Sequence, residues 1–303
     1  MSMSVTSRAD RTGVALTALS AAFFGSLAIY GKVADRIGIP LNELLAVRFG
    51  VAAIVLWILA LVRHERLWWG RRMAGLVVMG ALYVAQAATY FTSLKTVPAA
   101  VTSILLYIYP IVVMLLAAAF LGERLTRRRG VALVVAVAGV FAVVDPLSAH
   151  GNIGSAGVLF GLAAAAIYAT YILTGRALLR DVPAVVATAT IATTAGVVFA
   201  AAGAAAGQLR PLSGSGYALA GSMAIVATAI PATLFLAGLA RVGATRAAII
   251  STLEPAVTVV LAGLVLGEGL GPVRLLGGAA ILGAAILVAR TVTPGLTEPL
   301  VRE

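Results

Sequence analysis

Residues 94–125, LKTVPAAVTSILLYIYPIVVMLLAAAFLGERL, and residues 239–270, LARVGATRAAIISTLEPAVTVVLAGLVLGEGL, are two copies of one pattern. A fixed offset between similar stretches indicates that a chain is built from repeated structural units. The offset here is 145 residues, and it pairs Pro110 with Pro255, Gly122 with Gly267 and Glu123 with Glu268.

Both stretches are apolar over the roughly 20 residues that a membrane-spanning helix requires. The whole chain is 61% hydrophobic and 11% charged, whereas soluble domains carry about 25% charged residues. This composition excludes an ordinary soluble enzyme and a disordered chain, and it predicts an all-α integral membrane protein. Ten apolar runs are long enough to span a bilayer: Gly13–Gly31, Leu41–Val62, Met73–Leu94, Val97–Leu121, Gly130–Val144, Ile153–Leu173, Ala184–Ala206, Tyr217–Ala240, Ala244–Leu266 and Val273–Ala289.

The repeat assigns five spans to each half of the chain. Because five is odd, the second half must enter the membrane in the opposite orientation, which gives ten helices in two inverted five-helix repeats. We expect the repeats at residues 13–145 and 153–290, a linker at 146–152, and tails at 1–12 and 291–303. Inverted repeats are typical of transporters, because two equivalent halves can exchange inward-open and outward-open states at similar energy.

The basic residues predict the orientation of the chain. The net charge is +11, and with the N-terminus in the cytoplasm sixteen of the 22 Lys and Arg residues fall on that face. Positive charge marks the cytoplasmic side of membrane proteins, so we expect a multi-pass protein of a bacterial inner membrane with both termini cytoplasmic. The charge is thereby explained without a nucleic-acid partner.

Tyrosines and small polar residues recur at helical spacing inside the spans. An amphipathic tyrosine offers its ring face to an apolar or cationic ligand and its hydroxyl to polar groups. Packing between helices and interfacial belts are the alternatives, and they weigh most for Tyr90 and Tyr171 near span ends. The residues that we expect to line a substrate cavity are Tyr83, Gln86, Tyr90, Ser103, Tyr107, Tyr168 and Tyr171.

Two charged residues lie deep within predicted spans, Arg48 in the second and Glu254 in the ninth. Intramembrane charges are costly and usually functional. Arg48 is a candidate receptor for a substrate carboxylate. Glu254 is a candidate for binding an ammonium group, taking up a proton or pairing with Arg48. A structural role for each side chain is the alternative. Glu43, near a span end, is expected to extend to the membrane interface.

Candidate hinges and gates follow from the repeated motif. Pro110 and Pro255 are predicted to kink their spans, because proline cannot donate a backbone hydrogen bond. Glu123 and Glu268 end their spans, which favours a role in a gate or at a helix end.

The paired Pro and Leu-Gly-Glu elements (Tyr109-Pro110 with Leu121-Gly122-Glu123, and Glu254-Pro255 with Leu266-Gly267-Glu268) resemble the EamA repeat. So do the Arg48-Phe49 pair and ten spans in about 300 residues. EamA proteins belong to the drug/metabolite transporter superfamily, and this chain most resembles its YddG-type exporters of aromatic and other amino acids. The resemblance implies a secondary carrier of small amphipathic metabolites, amino acids foremost, with drugs, purines or other metabolites as alternatives.

A membrane-embedded enzyme acting on lipid-linked substrates is the alternative from another class. Such chemistry needs clustered acid–base or metal-ligating side chains. The chain has no Cys, and its two His residues, His64 and His150, lie in separate loops. No phosphate-binding loop is present. We therefore expect a carrier that needs no cofactor or metal and whose partners are a small-molecule substrate and the bilayer.

Overall fold

The computed structural model describes residues 8–67, 70–97, 99–144, 154–179, 182–266 and 271–289. Within these ranges the secondary structure is helical, with no strand. A helix satisfies its own backbone hydrogen bonds, as a segment in lipid must. The helices are α1 (Arg8–Gly25), α2 (Leu27–Arg36), α3 (Leu41–Val62), α4 (Arg71–Ser93), α5 (Ala99–Leu106), α6 (Tyr109–Leu121), α7 (Arg127–Val144), α8 (Ser155–Leu178), α9 (Ala184–Ala205), α10 (Gly214–Ala224), α11 (Ile230–Val242), α12 (Ala244–Ser251), α13 (Leu253–Leu266) and α14 (Pro272–Ala289).

The predicted spans correspond to these helices. Nine stretches in the described ranges are long and apolar enough to cross a membrane. The remaining predicted span, Gly130–Val144, which is the fifth along the chain, is covered by α7, which begins with three arginines at Arg127–Arg129. The predicted fold class, an all-α membrane protein of two inverted repeats, is confirmed.

Helix packing follows the two-fold relation between the repeats. The largest interfaces join α3 to α9 and α7 to α14, which are spans two with seven and five with ten. They also join α4 to α8 and α1 to α11, which are spans three with six and one with eight. A shift of five spans turns span three into span eight and span six into span one. The repeat therefore relates the interface of spans three and six to the interface of spans one and eight. The two halves therefore interlock, and every large interface contains one helix from each repeat.

The repeated prolines stand where spans are broken. Span four divides into α5 and α6, and Pro110 is the second residue of α6. Span nine divides into α12 and α13, and Pro255 is the third residue of α13. Proline suits the first turn of a helix, where its missing N–H has no intrahelical partner. The two prolines thus begin new half-helices, which differs from the predicted kink within a continuous helix.

Buried ionic contacts tie the repeats together at one end of the bundle, which we call the Arg246 end. Arg246 in α12 is fully buried; it donates from Nη1 to Asp10 Oδ1 at 2.5 Å and from Nη2 to the carbonyl of Ala289 at 3.2 Å. Glu123, after α6, accepts from the backbone N–H of Ala244 at 2.8 Å and from Arg129 at 3.3 Å. These contacts join α1, α7, α12 and α14.

Two charged residues are more buried than their positions in the sequence indicated. Arg246 is one of the sixteen basic residues that the predicted orientation places at the cytoplasmic face, but its side chain is enclosed between helices. Glu43 was expected to extend to the interface, but it is only 3% exposed within α3. The cause in both cases is a neighbouring helix from the other half of the chain, which hydropathy along one helix does not reveal.

A close backbone contact between the repeats involves two glycines, Gly139 in α7 and Gly277 in α14. A Cβ atom added to Gly277 would lie 2.7 Å from the carbonyl oxygen of Gly139. We expect Gly277→Ala to force the helices apart and lower the thermal unfolding temperature in detergent. Gly283→Ala is the matched control in α14, because a Cβ there meets no atom within 4 Å. Equal melting temperatures for the two variants would contradict the close contact.

Candidate functional site

A cavity of about 720 Å³ is lined by helices of both repeats. It runs from the middle of the bundle, at Tyr168 and Glu254, toward the end opposite Arg246, where Ile39 lies between α2 and α3 and Leu41 begins α3. Small-molecule sites typically enclose about 300–1,000 Å³. The cavity is therefore large enough for a metabolite of amino-acid size.

Most of the predicted site residues meet in this cavity. Eight of the nine line it: Arg48, Tyr83, Gln86, Tyr90, Ser103, Tyr107, Tyr168 and Glu254. The ninth, Tyr171, is 4% exposed and stands behind the lining, with its ring against those of Tyr83 and Tyr168. Tyr83, Gln86 and Tyr90 share one face of α4, as their helical spacing predicts.

Six aromatic rings form a continuous row of ring contacts beside the cavity, which we call the aromatic wall. The ring centroids of successive members lie 5.5, 6.1, 5.8, 4.7 and 6.3 Å apart. Edge-to-face and offset contacts at these distances stabilise aromatic clusters. The wall consists, in order, of Phe49, Tyr83, Tyr171, Tyr168, Tyr109 and Tyr107.

Arg48 lies at the Phe49 end of the wall. Its guanidinium carbon is 4.7 Å from the centroid of the Phe49 ring, and the residue is 4% exposed. Its Nε donates to Thr228 Oγ1 at 2.5 Å, and its Nη2 donates to the carbonyl of Ala227 at 3.3 Å. In the described part of the chain no carboxylate pairs with it. Its positive charge is therefore held by neutral groups only.

Glu254 lies toward the other end of the wall, in the first turn of α13. It is half-buried and lines the cavity. No described residue forms an ion pair or a hydrogen bond with its carboxylate. Four tyrosines lie around it: Tyr90, Tyr107, Tyr109 and Tyr168. Pairing with Arg48, one of the roles considered from the sequence, does not occur in this conformation.

The counterpart of Glu254 in the first repeat is Tyr109. It is 2% exposed, and its hydroxyl donates to the carbonyl of Ala248 in α12 at 3.3 Å. In the first repeat this position, Tyr109, forms a hydrogen bond that joins α6 to α12. In the second repeat the same position, Glu254, places a carboxylate toward the cavity. Among the described residues that line the cavity, Glu254 is thus the one acidic side chain and Arg48 the one basic side chain.

The predicted gate residues lie in different surroundings. Glu123 is part of the ionic contacts at the Arg246 end. Pro255 lines the cavity, whereas Pro110 is buried in α6. Glu268 lies outside the described residues.

Several residues of the site were not found from the sequence. Phe49, Phe91 and Phe199 line the cavity, and Thr228 holds Arg48. A phenylalanine in an apolar span carries no signal that separates cavity lining from core. The described residues contain no group of three His, Asp or Glu side chains that could hold a metal ion.

The comparisons with known proteins agree with this architecture. The sequence profile of the EamA-like transporter family matches residues 11–145 and again residues 155–290. A crystal structure superposes with a TM-score of 0.80 at 20% sequence identity, covering 91% of this chain and 97% of that one. At that identity the superposition supports the fold alone.

Two relatives carry transporter names. The uncharacterized transporter YcbK of Bacillus subtilis (strain 168) is 35% identical over 127 residues, which is 40% of this chain and 41% of that protein. The chain thus matches less than half the length of this relative. An uncharacterized transporter of Archaeoglobus fulgidus is 27% identical over 226 residues, or 72% of this chain and 76% of that protein. With the two profile matches, these relatives indicate a membrane transporter of small molecules and not an enzyme, and the chain belongs to the EamA-like transporter family.

Proposed function

We propose that this transporter is a secondary carrier that exports small amphipathic metabolites, amino acids foremost, across a bacterial inner membrane. The observation that carries the proposal is a single cavity that presents a carboxylate and a guanidinium, neither with a counter-charge among the described residues. Leaving a charge unpaired in a low-dielectric site is costly. An amino acid brings the ammonium and the carboxylate that would compensate both.

The aromatic wall suits the apolar side chain of such a substrate. Ring faces accept aliphatic and aromatic side chains and also attract an ammonium group. Arg48 and Glu254 stand toward opposite ends of the wall, and the ammonium and carboxylate of an α-amino acid are attached to one carbon. A substrate would therefore engage both residues only when the cavity narrows. Alternating access supplies such a narrowing, because the two repeats move against one another around the substrate.

The orientation follows from the charge distribution. If both termini are cytoplasmic, the Arg246 end faces the cytoplasm and the cavity extends toward the outside. The ionic contacts of Asp10, Glu123, Arg129 and Arg246 then form a closed cytoplasmic gate. The half-helices that begin at Pro110 and Pro255 are the hinge points, and residues 13–145 and 153–290 are the moving units.

Counterflow in proteoliposomes tests the proposal. Purified protein in liposomes loaded with unlabelled L-phenylalanine is expected to accumulate labelled L-phenylalanine, whereas protein-free liposomes are not. Tyr83→Ala should reduce the initial rate about tenfold or more, because a buried aromatic contact with the ligand is lost. Tyr217→Ala is the matched control, since Tyr217 is 50% exposed in α10 and does not line the cavity.

Two results would overturn the proposal. A folded, monodisperse protein that exchanges none of a panel of twenty amino acids would exclude amino acids as the cargo. Equal rates for the Tyr83→Ala and Tyr217→Ala variants would exclude the aromatic wall as the binding surface.

A further inference from the structure

A single π-helical turn interrupts span eight at Ile225–Ala229, between α10 and α11. The N–H of Ile230 donates to the carbonyl of Ile225, five residues earlier. Thr228 shows the same shift, because its hydroxyl donates to the carbonyl of Met223, also five residues earlier, at 3.1 Å. Isolated π turns within α-helices are frequent at functional sites. The turn lies against α3, at the level of Arg48.

The sequence explains why acceptors are free at this turn. Pro231 has no N–H, so it cannot donate to Ala227, the carbonyl four residues before it. That carbonyl accepts from Arg48 Nη2 at 3.3 Å. The hydroxyl of Thr228, which is 3% exposed, accepts from Arg48 Nε at 2.5 Å while it donates to Met223. Both of these acceptors therefore belong to the π turn, and Tyr83 of the aromatic wall also lies beside the guanidinium.

These two contacts orient the guanidinium without neutralising it. A guanidinium has five N–H donors, and the π turn accepts from its Nε and from one of its two terminal nitrogens. Neutral acceptors leave the full positive charge, and Arg48 lines the cavity. The planar fork of an arginine matches a carboxylate, and such charge-assisted bonds are strong when the geometry is fixed.

We infer that the π turn at Ile225–Ala229 is a positioning element, in which Thr228 aims Arg48 so that it selects ligands that carry a carboxylate. The inference rests on the proposed amino-acid transport and adds the residue that sets specificity at one end of the substrate. Thr228 acts through Arg48 and does not itself need to touch the ligand. Loss of its hydroxyl should therefore affect ligands with a carboxylate and spare ligands without one.

The test compares L-phenylalanine with phenethylamine, which is the same molecule without the carboxylate. In proteoliposomes, Thr228→Val is expected to raise the KM for L-phenylalanine counterflow about tenfold, the usual effect of a lost hydrogen bond to a charged group. The inhibition constant of phenethylamine against this counterflow should stay within about twofold, because its recognition does not involve Arg48. Thr228→Ser, which keeps the hydroxyl, should restore the wild-type KM.

The matched control is Thr190→Val in α9. Thr190 is 5% exposed and its hydroxyl donates to Val186 of its own helix, so its loss should change neither constant. If Thr228→Val does not fold, Thr228→Ala provides the same comparison, and the phenethylamine constant reports an intact cavity. Equal loss of both ligands, or no change in either, would overturn the inference while leaving amino-acid transport in place. A wild type that exchanges no amino acid would overturn both.

Discussion

Glu254→Gln is expected to reduce L-phenylalanine counterflow about 100-fold or more, because removing one partner of a desolvated charge pair typically costs 2–5 kcal/mol. Glutamine keeps the size of the side chain and removes the charge. Glu254 is the residue in the cavity that can compensate a substrate ammonium, and its carboxylate has no partner among the described residues. The measurement is the initial counterflow rate at saturating and at low substrate.

The position of Glu254 explains why its charge is tolerated before the substrate binds. It lies in the first turn of α13, where the helix dipole favours a negative charge. Half-helix ends of this kind form substrate sites near the bilayer midplane in other transporters. The surrounding tyrosine rings also attract an ammonium. The helix dipole thus offsets part of the cost of an unpaired carboxylate, and a substrate ammonium would offset the rest.

A control variant and a control ligand accompany this experiment. Glu65→Gln makes the same change in the connection after α3, away from the cavity, and should leave the rate unaltered. The inhibition constant of 3-phenylpropionate, which lacks the ammonium, should be similar in wild type and Glu254→Gln. Retention of more than half of the wild-type rate in Glu254→Gln would exclude Glu254 as the ammonium receptor.

Asp10→Asn is expected to destabilise the protein by about 3–5 kcal/mol, the usual cost of leaving one member of a buried ion pair without its partner. Asparagine retains the shape but not the charge that faces Arg246 at 2.5 Å. Arg246 is 0% exposed, so water cannot replace the lost carboxylate. The expected observation is a lower thermal unfolding temperature in detergent, followed by the loss of monodisperse protein on size exclusion.

The double variant Asp10→Asn/Arg246→Met distinguishes an uncompensated charge from simple loss of contact. Removing both charges should recover much of the stability, because an apolar replacement for a buried ion pair is often neutral. Arg241→Met, an exposed position close by in α11, is the control and should unfold like the wild type. If the double variant were no more stable than Asp10→Asn, the charge of Arg246 would not be the cause.

The tyrosine positions show how far the sequence could predict the site. Tyr83, Gln86 and Tyr90 were placed on one face of a helix by their spacing, and all three line the cavity. Tyr171 shares the helix of Tyr168 but lies behind the lining, because its side chain is covered by neighbouring rings. Spacing along one helix predicts a shared face; it does not predict which neighbour covers part of that face.

The sequence predicts ten spans in two inverted repeats from the length of its apolar runs, the 145-residue offset and the positions of its arginines. All three are local or periodic features that can be recognised along the chain. The physical reason is that a bilayer requires helices of one length whatever they pack against. The partners of the charges could not be read in this way. Asp10 lies 236 residues from Arg246, and Arg48 lies 180 residues from Thr228. Whether such a charge forms an ion pair, is held by neutral hydrogen-bond acceptors or has no partner depends on which helix of the other repeat packs beside it. That packing is established only when the two halves come together.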